Sequence, residues 1–152
     1  MNGRVLLDTN ILVYAEDANE TEKRPLAQGV MAHLIATEQA TITSQILGEY
    51  YYTVTRLFPT TLGPQAASAR LDRFVELMSV FEMSATVVLE AARGVVRYRM
   101  HYYDAQIWAA ARLNGIGLVL SEDYQDGQEI EGVRFANPFV EGFDLERMLC
   151  ED

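Results

Sequence analysis

The segment RVLLDTNILVYA, residues 4–15, decides the fold of this chain. Its aliphatic run Val5–Leu7 is typical of a short strand that is covered on both faces of a parallel sheet. The run ends in a carboxylate, Asp8, and the polar residues Thr9 and Asn10 that follow are able to hydrogen-bond its oxygens. A strand that leads directly into a carboxylate predicts a rigid mount for Asp8 at the sheet edge. The same polar run also suits the N-cap of a short helix, and both interpretations stay open here.

Length and composition predict a single domain over residues 1–152, with a core at 3–139 and a C-terminal tail at 140–152. A chain of 152 residues with 49% apolar and 22% charged residues is typical of a globular protein with a sizeable core. No apolar run approaches the ~20 residues that span a bilayer, and no signal peptide is recognisable, so export and a membrane partner are disfavoured. The one cysteine, Cys150, excludes an internal disulfide and a thiolate metal cluster. We therefore expect a cytoplasmic protein.

The charge balance argues against one mode of nucleic-acid binding. The formal net charge is −10, and Lys23 is the sole lysine among 12 basic residues. A protein that holds nucleic acid by a broad cationic surface needs many phosphate contacts, which this chain lacks. A nuclease is still allowed, because metal ions bound to clustered carboxylates reverse the local field.

Strand and helix patterns alternate along the whole chain. We predict strands at 3–8, 41–43, 79–83, 117–121 and 132–137, and helices at 22–38, 44–58, 63–78, 84–100 and 102–115. Alternating strands and helices indicate an α/β fold, with a parallel sheet flanked by helices and right-handed crossovers.

Several carboxylates fall where such a sheet binds ligands, outside the carboxyl ends of its strands. Asp8 ends the first strand, Asp123 follows the strand at 117–121, and Asp104 lies in the first turn of an apolar helix. Grouped carboxylates repel one another unless a cation is present, and Mg²⁺ or Mn²⁺ is the simplest such cation for oxygen ligands. The pattern therefore predicts a divalent metal site at this edge.

Each acid also has a plainer interpretation. Asp104 is an ordinary residue for the start of a helix. Glu49 lies off the centre of the apolar stripe of its helix and, taken alone, reads as a solvated surface residue. Glu122, Asp123 and Asp126 suit a polar turn beside a glycine.

The order of four motifs favours the functional interpretation. The segments LLDTNILVYA, TSQILGEYYYTVTR, YYDAQIWAAARLNG and LVLSEDYQDGQEIEGVRFANPF together resemble the PIN domain, and specifically the VapC-like ribonuclease toxins of toxin–antitoxin pairs. The resemblance covers residues 4–139. It implies a Rossmann-like sheet of about five parallel strands and an acidic pocket that binds Mg²⁺ or Mn²⁺ and hydrolyses RNA phosphodiesters. It also implies a homodimer that is inhibited by a small antitoxin.

The resemblance assigns roles to individual positions. The four acids of the family, which bind metal and support catalysis, fall on Asp8, Glu49, Asp104 and Asp123. Ser121 matches a hydroxyl that precedes the fourth acid, and Asn10 matches a polar residue that orients the first. The chain departs from the family where an aromatic residue commonly follows the fourth acid by three positions, because that position is Asp126 here. Whether Glu122 or Asp126 also reaches the metal therefore stays open.

Further features leave alternatives. Arg97, Arg99 and His101 form either a rim that contacts RNA phosphates or a solvated helix end. The apolar stripe of the hairpin at 44–78 is either a docking surface or ordinary core. Two other functions compete with the ribonuclease: a non-catalytic PIN-like RNA-binding or scaffold protein, and a receiver-type phosphoacceptor domain. The receiver needs a lysine near the acids, and Lys23 is poorly placed for that role.

Overall fold

A computed structural model describes residues 3–151, so Met1, Asn2 and Asp152 of the predicted domain lie outside the described residues. The strands are β1 Val5–Leu7, β2 Ala40–Thr43, β3 Ser79–Phe81, β4 Leu118–Leu120, β5 Glu129–Ile130 and β6 Val133–Ala136. The helices are α1 Thr9–Tyr14, α2 Lys23–Ala36, α3 Ser44–Leu57, α4 Pro64–Leu77, α5 Ala85–Tyr98, α6 Tyr102–Leu113 and α7 Leu145–Cys150. Strands and helices alternate as the sequence predicts.

The sheet confirms the predicted α/β class and corrects its details. Its strand order is β3-β2-β1-β4-β6-β5, and every pair is parallel except β5 with β6. The sheet described by residues 3–151 thus has six strands, where about five were expected. The additional strand β5 has two residues, too few for periodicity to reveal. It pairs with β6 across a tight turn at Glu131 and Gly132, whose φ angles of 48° and 82° suit a two-residue hairpin.

Residues 4–15 contain both the buried strand and the helix N-cap that the sequence suggested. Val5, Leu6 and Leu7 are fully buried at the centre of the sheet, as a strand covered on both faces requires. The backbone N–H of Asp8 donates to the carbonyl of Leu120 at 3.0 Å, which extends the pairing of β1 with β4 by one residue. Asp8 is also the N-cap of α1, because its Oδ1 accepts from the backbone N–H of Thr9 at 2.7 Å.

Helices α3 and α4 form the predicted hairpin, and one of its tyrosines belongs to the core. Tyr50 is fully buried against Phe74, with ring centroids 5.0 Å apart, and its hydroxyl donates to Glu16 at 3.0 Å. Arg70 of α4 pairs with the same carboxylate at 3.1 Å. Tyr52 is 62% exposed, so the apolar stripe of the hairpin divides between core and surface.

Helices α5 and α6 approach closely at Gly94. A Cβ atom at this position would lie 2.7 Å from Cζ3 of Trp108, which is fully buried and donates from Nε1 to the carbonyl of Ile130 at 3.1 Å. The indole therefore cannot move aside without losing a buried hydrogen bond.

We expect Gly94→Ala to lower the free energy of unfolding by about 2 kcal/mol, because overpacking a rigid core contact costs about 1–3 kcal/mol. Gly29→Ala in α2 is the matched control, since nothing lies within 4 Å of its added Cβ. That control should stabilise the protein by about 0.5–1 kcal/mol through helix propensity. Urea unfolding of both variants measures the two effects. Equal stabilities of the two variants would contradict the close approach.

The predicted tail contains α7, which the sequence analysis did not predict. Leu145, Met148 and Leu149 of α7 pack in part against the core. Arg134 of β6 holds the helix by bonding the carbonyl of Met148 at 3.1 Å and the carboxylate of Glu151 at 3.0 Å. Among residues 3–151, no helix combines the length and apolarity that crossing a membrane requires.

Candidate active site

The four acids predicted as catalytic lie around one cavity. Asp8, Glu49, Asp104 and Asp123 all line a space of about 470 Å³ at the carboxyl edge of the sheet. They come from four separated segments: the end of β1, α3, the first turn of α6 and the loop after β4. The other lining residues are Thr9, Asn10, Val13, Tyr14, Asp17, Thr53, Leu57, His101, Tyr103 and Ile107.

Asp8 is the most buried of these carboxylates, with 5% of its surface exposed. Burial raises its pKa to about 6, and the nearby charges of Asp123 and Glu49 add to the rise. Two hydrogen bonds act in the opposite direction, from Ser121 Oγ at 2.6 Å and from the backbone N–H of Thr9 at 2.7 Å. Near neutral pH this carboxylate is ionised but poorly solvated, so a cation would bind it favourably.

Asn10 and Ser121 connect Asp8 with Asp123. The amide Nδ2 of Asn10 lies 3.4 Å from Oδ2 of Asp8, 3.3 Å from Oγ of Ser121 and 3.2 Å from Oδ2 of Asp123. Oγ of Ser121 also accepts the backbone N–H of Asp123 at 3.1 Å. The Asn10 amide therefore bonds both carboxylates, and the Ser121 hydroxyl bonds the carboxylate of Asp8 and the backbone of Asp123.

Glu49 is oriented by two donors. Its Oε2 accepts from Thr9 Oγ1 at 2.8 Å and its Oε1 accepts from Gln45 Nε2 at 3.1 Å. The hydroxyl of Thr9 thus bonds Glu49, while only its backbone N–H bonds Asp8. Sequence reasoning did not single out Gln45, although its i, i+4 spacing from Glu49 places the two on one helix face.

Asp104 faces the same cavity from the start of α6. Burial raises its pKa, the charges of Asp123 and Glu49 raise it further, and His101 lowers it. The hydroxyl of Tyr124 donates to the backbone carbonyl of Asp104 at 2.5 Å, which ties α6 to the loop after β4. Sequence reasoning did not identify this contact, because nothing local to Tyr124 indicates it.

Other predicted site residues lie elsewhere. Glu122 and Asp126 do not line the cavity: Glu122 pairs with Lys23 at 2.9 Å, and Oδ1 of Asp126 accepts the backbone N–H of Asn137 at 2.9 Å.

The three residues that were predicted to form a rim for RNA phosphates lie in different surroundings. His101 lines the cavity, whereas Arg97 bonds the hydroxyl of Tyr98 at 3.1 Å. Arg99 ends α5 in a left-handed conformation with φ of 56°. Only His101 of this rim therefore reaches the acidic cavity.

The donor set suits a hard divalent cation. Asn10 lines the cavity together with the four acids, and its side-chain oxygen Oδ1 is buried and has no hydrogen-bond partner. Among residues 3–151, no group of three or more His, Cys, Asp or Glu side chains is arranged to hold a metal ion by itself. Mg²⁺ commonly binds through one or two carboxylates, with waters and substrate phosphate as its other ligands. Asp8 and Asp123, whose carboxylates both lie within 3.4 Å of the Asn10 amide nitrogen, fit that kind of partial protein shell.

Comparisons with known proteins bear on the family and the fold of the chain. The family model of the PIN domain matches residues 5–127. The chain is similar in structure to a toxin–antitoxin complex from Klebsiella pneumoniae, with a TM-score of 0.67, 18% identity and coverage of 89% of this chain and 98% of that one. Comparison with curated protein sequences found no match.

Two further solved structures resemble the chain. One is VapC20 from Mycobacterium tuberculosis, a toxin that cleaves the sarcin–ricin loop, with a TM-score of 0.60, 21% identity and coverage of 76% of this chain and 86% of that one. The other is VapBC2 from Rickettsia felis bound to a promoter DNA fragment, with a TM-score of 0.63, 17% identity and coverage of 88% and 97%. At these identities the likeness establishes a shared fold.

Proposed function

Because the chain belongs to the PIN domain family, we propose that it is a Mg²⁺- or Mn²⁺-dependent endoribonuclease and the toxin of a toxin–antitoxin pair. One observation carries the proposal: four carboxylates from separate segments line a single cavity at the carboxyl edge of a parallel sheet. Four carboxylates at one edge of a sheet repel one another, which is unfavourable for folding. The fold itself does not require such a cluster, so its presence favours a functional site.

The roles of the residues follow from their positions. The proposed metal-binding and catalytic acids are Asp8, Glu49, Asp104 and Asp123, which line one cavity. One or two of these carboxylates would hold an ion, with waters and substrate phosphate as its other ligands. Bound Mg²⁺ or Mn²⁺ supplies a water of lowered pKa and neutralises charge on the phosphate. Thr9 and Gln45 hold Glu49.

The mouth of the cavity offers groups for RNA. Tyr103 is 54% exposed and His101 adjoins it, with ring centroids 6.0 Å apart. An exposed aromatic ring beside the acids is suited to stack on an unpaired base, which is how single-stranded RNA is commonly held. Arg97 and Arg99 lie outside the cavity, where they would contact only an RNA that extends beyond it.

The proposed partners are a cognate antitoxin and a second copy of the chain, in the cytoplasm. The structures from Klebsiella pneumoniae and Rickettsia felis are toxin–antitoxin assemblies, and this supports the antitoxin. The net charge of −10 suits a basic antitoxin segment.

The two alternative functions remain a non-catalytic RNA-binding or scaffold protein and a receiver domain. The Nζ atom of Lys23 pairs with Glu122, outside the cavity, and this counts against the receiver.

Removal of metal is the first test. The purified chain is incubated with short single-stranded RNA and either Mn²⁺, Mg²⁺ or excess EDTA, and the products are resolved on a denaturing gel. We expect cleavage with a metal ion and a loss of at least about 100-fold with EDTA, because metal-assisted hydrolysis depends on several kcal/mol of charge stabilisation. Intact RNA under all three conditions would favour the scaffold instead. Cleavage that EDTA does not reduce would contradict the metal site.

A further inference from the structure

The sole lysine of the chain lies in a cluster next to the acidic cavity. Nζ of Lys23 is 2.9 Å from Oε2 of Glu122 and 3.3 Å from the hydroxyl of Tyr14. The hydroxyl of Tyr14 in turn donates to Oε1 of Glu122. Both oxygens of the Glu122 carboxylate are therefore engaged, and each has a different partner.

Two aromatic rings lie beside the amino group of Lys23. It lies 4.6 Å from the ring centroid of Tyr14 and 5.6 Å from that of Phe139, and these two rings meet edge to face at 5.1 Å. A cation beside aromatic faces is attracted by their quadrupoles. The cluster joins four parts of the chain: α1, the start of α2, the loop after β4 and the segment after β6.

Neighbouring acids of the loop after β4 have separate partners. Glu122 is held by Lys23 and Tyr14, whereas Asp123 lines the cavity and bonds Asn10 at 3.2 Å. Tyr14 lines the cavity whereas Lys23 and Glu122 do not, so the cluster adjoins the cavity from outside.

We propose that Lys23 and Tyr14 are positioning residues that hold Glu122 outside the acidic cavity and thereby fix the adjacent Asp123 toward it. A salt bridge on the surface contributes little by itself. This one differs because the side chains of Lys23 and Glu122 are only 35% and 23% exposed, and the tyrosine hydroxyl and two rings restrict its geometry. Glu122 thus serves as an anchor of the loop and not as a fifth acid of the cavity.

Hydrogen–deuterium exchange of the loop tests the anchor without any metal. Lys23→Met keeps an unbranched apolar stem against the rings and removes the amino group. Arg134→Met is the matched control, because it breaks a 3.0 Å ion pair between Arg134 and Glu151, two other distant segments. We expect amide exchange over residues 121–126 to be roughly tenfold faster in Lys23→Met, as loss of a charged hydrogen bond implies, and unchanged in Arg134→Met. Equal exchange of this segment in the two variants would overturn the proposal.

Mn²⁺ binding measured by calorimetry gives a second readout, and this part rests on the proposed function. Loss of a group that orients a metal ligand commonly costs 10–100-fold in affinity, so we expect Lys23→Met to bind Mn²⁺ about tenfold more weakly. Glu122→Gln should have a similar effect, and the double variant should be no weaker than either single one. Tighter binding by Lys23→Met would show that the freed Glu122 serves as a ligand, and unchanged binding would show that Asp123 does not depend on Lys23. Either result overturns the proposal. A wild-type protein that cleaves no RNA refutes the proposed function, but the exchange comparison still decides the role of Lys23.

Discussion

Replacement of Asp8 by asparagine is expected to reduce kcat/KM for RNA cleavage by at least about 1000-fold, since the loss of several kcal/mol of metal-dependent stabilisation corresponds to this factor. Asp8 is central to the site because Asn10, Ser121 and Thr9 all bond it. Asparagine has nearly the same shape and is an equally good N-cap, so α1 should persist. Loss of activity would then report the lost charge and not a lost helix.

Asp126→Asn is the matched control for this prediction. Asp126 follows the same strand as Asp123 but bonds the backbone of Asn137 and does not line the cavity. We expect its variant to cleave RNA within about threefold of wild type, as is usual for a group that takes no part in the chemistry. Initial rates with Mn²⁺ and single-stranded RNA measure both variants, and circular dichroism checks their folding. An active Asp8→Asn protein would refute the assignment of the first acid.

The second large effect is an increase in stability from the same substitution. In the metal-free protein we expect Asp8→Asn to raise the free energy of unfolding by as much as about 3 kcal/mol at pH 7. Burial raises the pKa of Asp8 from 3.8 to about 6, and that rise corresponds to about 3 kcal/mol of unfavourable free energy for the ionised group in the folded state. An asparagine carries no such charge, but its amide nitrogen cannot accept from Ser121 and Asn10 as Oδ2 of Asp8 does, so about 3 kcal/mol is the upper limit of the gain.

The sign of the pH dependence follows from the direction of this shift. Between pH 3.8 and about 6 the folded protein holds more protons on Asp8 than the unfolded chain does, so its contribution to stability falls as the pH rises. Above about pH 6 Asp8 is ionised in both states, so the stability lost through its burial no longer changes with pH. Lowered pKa values at Glu90, Glu131 and Glu151 act in the opposite direction, but they are common to both proteins and cancel in the difference.

Urea unfolding at several pH values measures this difference. The stability advantage of Asp8→Asn should be smallest near pH 4 and largest above pH 6. Added Mn²⁺ should stabilise the wild-type protein at pH 7 and reduce the advantage of the variant, because a bound cation compensates the buried charge. An advantage that does not change with pH would contradict the raised pKa of Asp8.

Local patterns predicted most elements of the fold. Aliphatic runs predicted β1 and β4. Ser84 begins the predicted helix at 84–100 and is the N-cap of α5, since its side chain accepts from the backbone N–H of Val87. The two elements that were missed, β5 and α7, are two and six residues long. Both elements are too short to show a periodic pattern of apolar residues in the sequence. Each depends on contacts with β6, which exist only in the folded chain.

The candidate site depended more strongly on tertiary structure. The sequence alone favoured a solvated surface position for Glu49, and only the resemblance to a family made it a candidate. In the structure the hydroxyl of Thr9, 40 residues earlier, binds its carboxylate at 2.8 Å. The spacing of residues along α3 cannot reveal a partner that lies in another helix.

By itself, the sequence determined where strands end and where carboxylates follow them, because these signals depend on residues a few positions apart. Only the tertiary structure decided which acids share a cavity. Glu122 and Asp123 are neighbours in the chain and look equivalent there, yet Lys23, 99 residues before Glu122, binds one, and Asn10, 113 residues before Asp123, binds the other. Side-chain direction and long-range partners separate them, and both arise only when distant segments pack together.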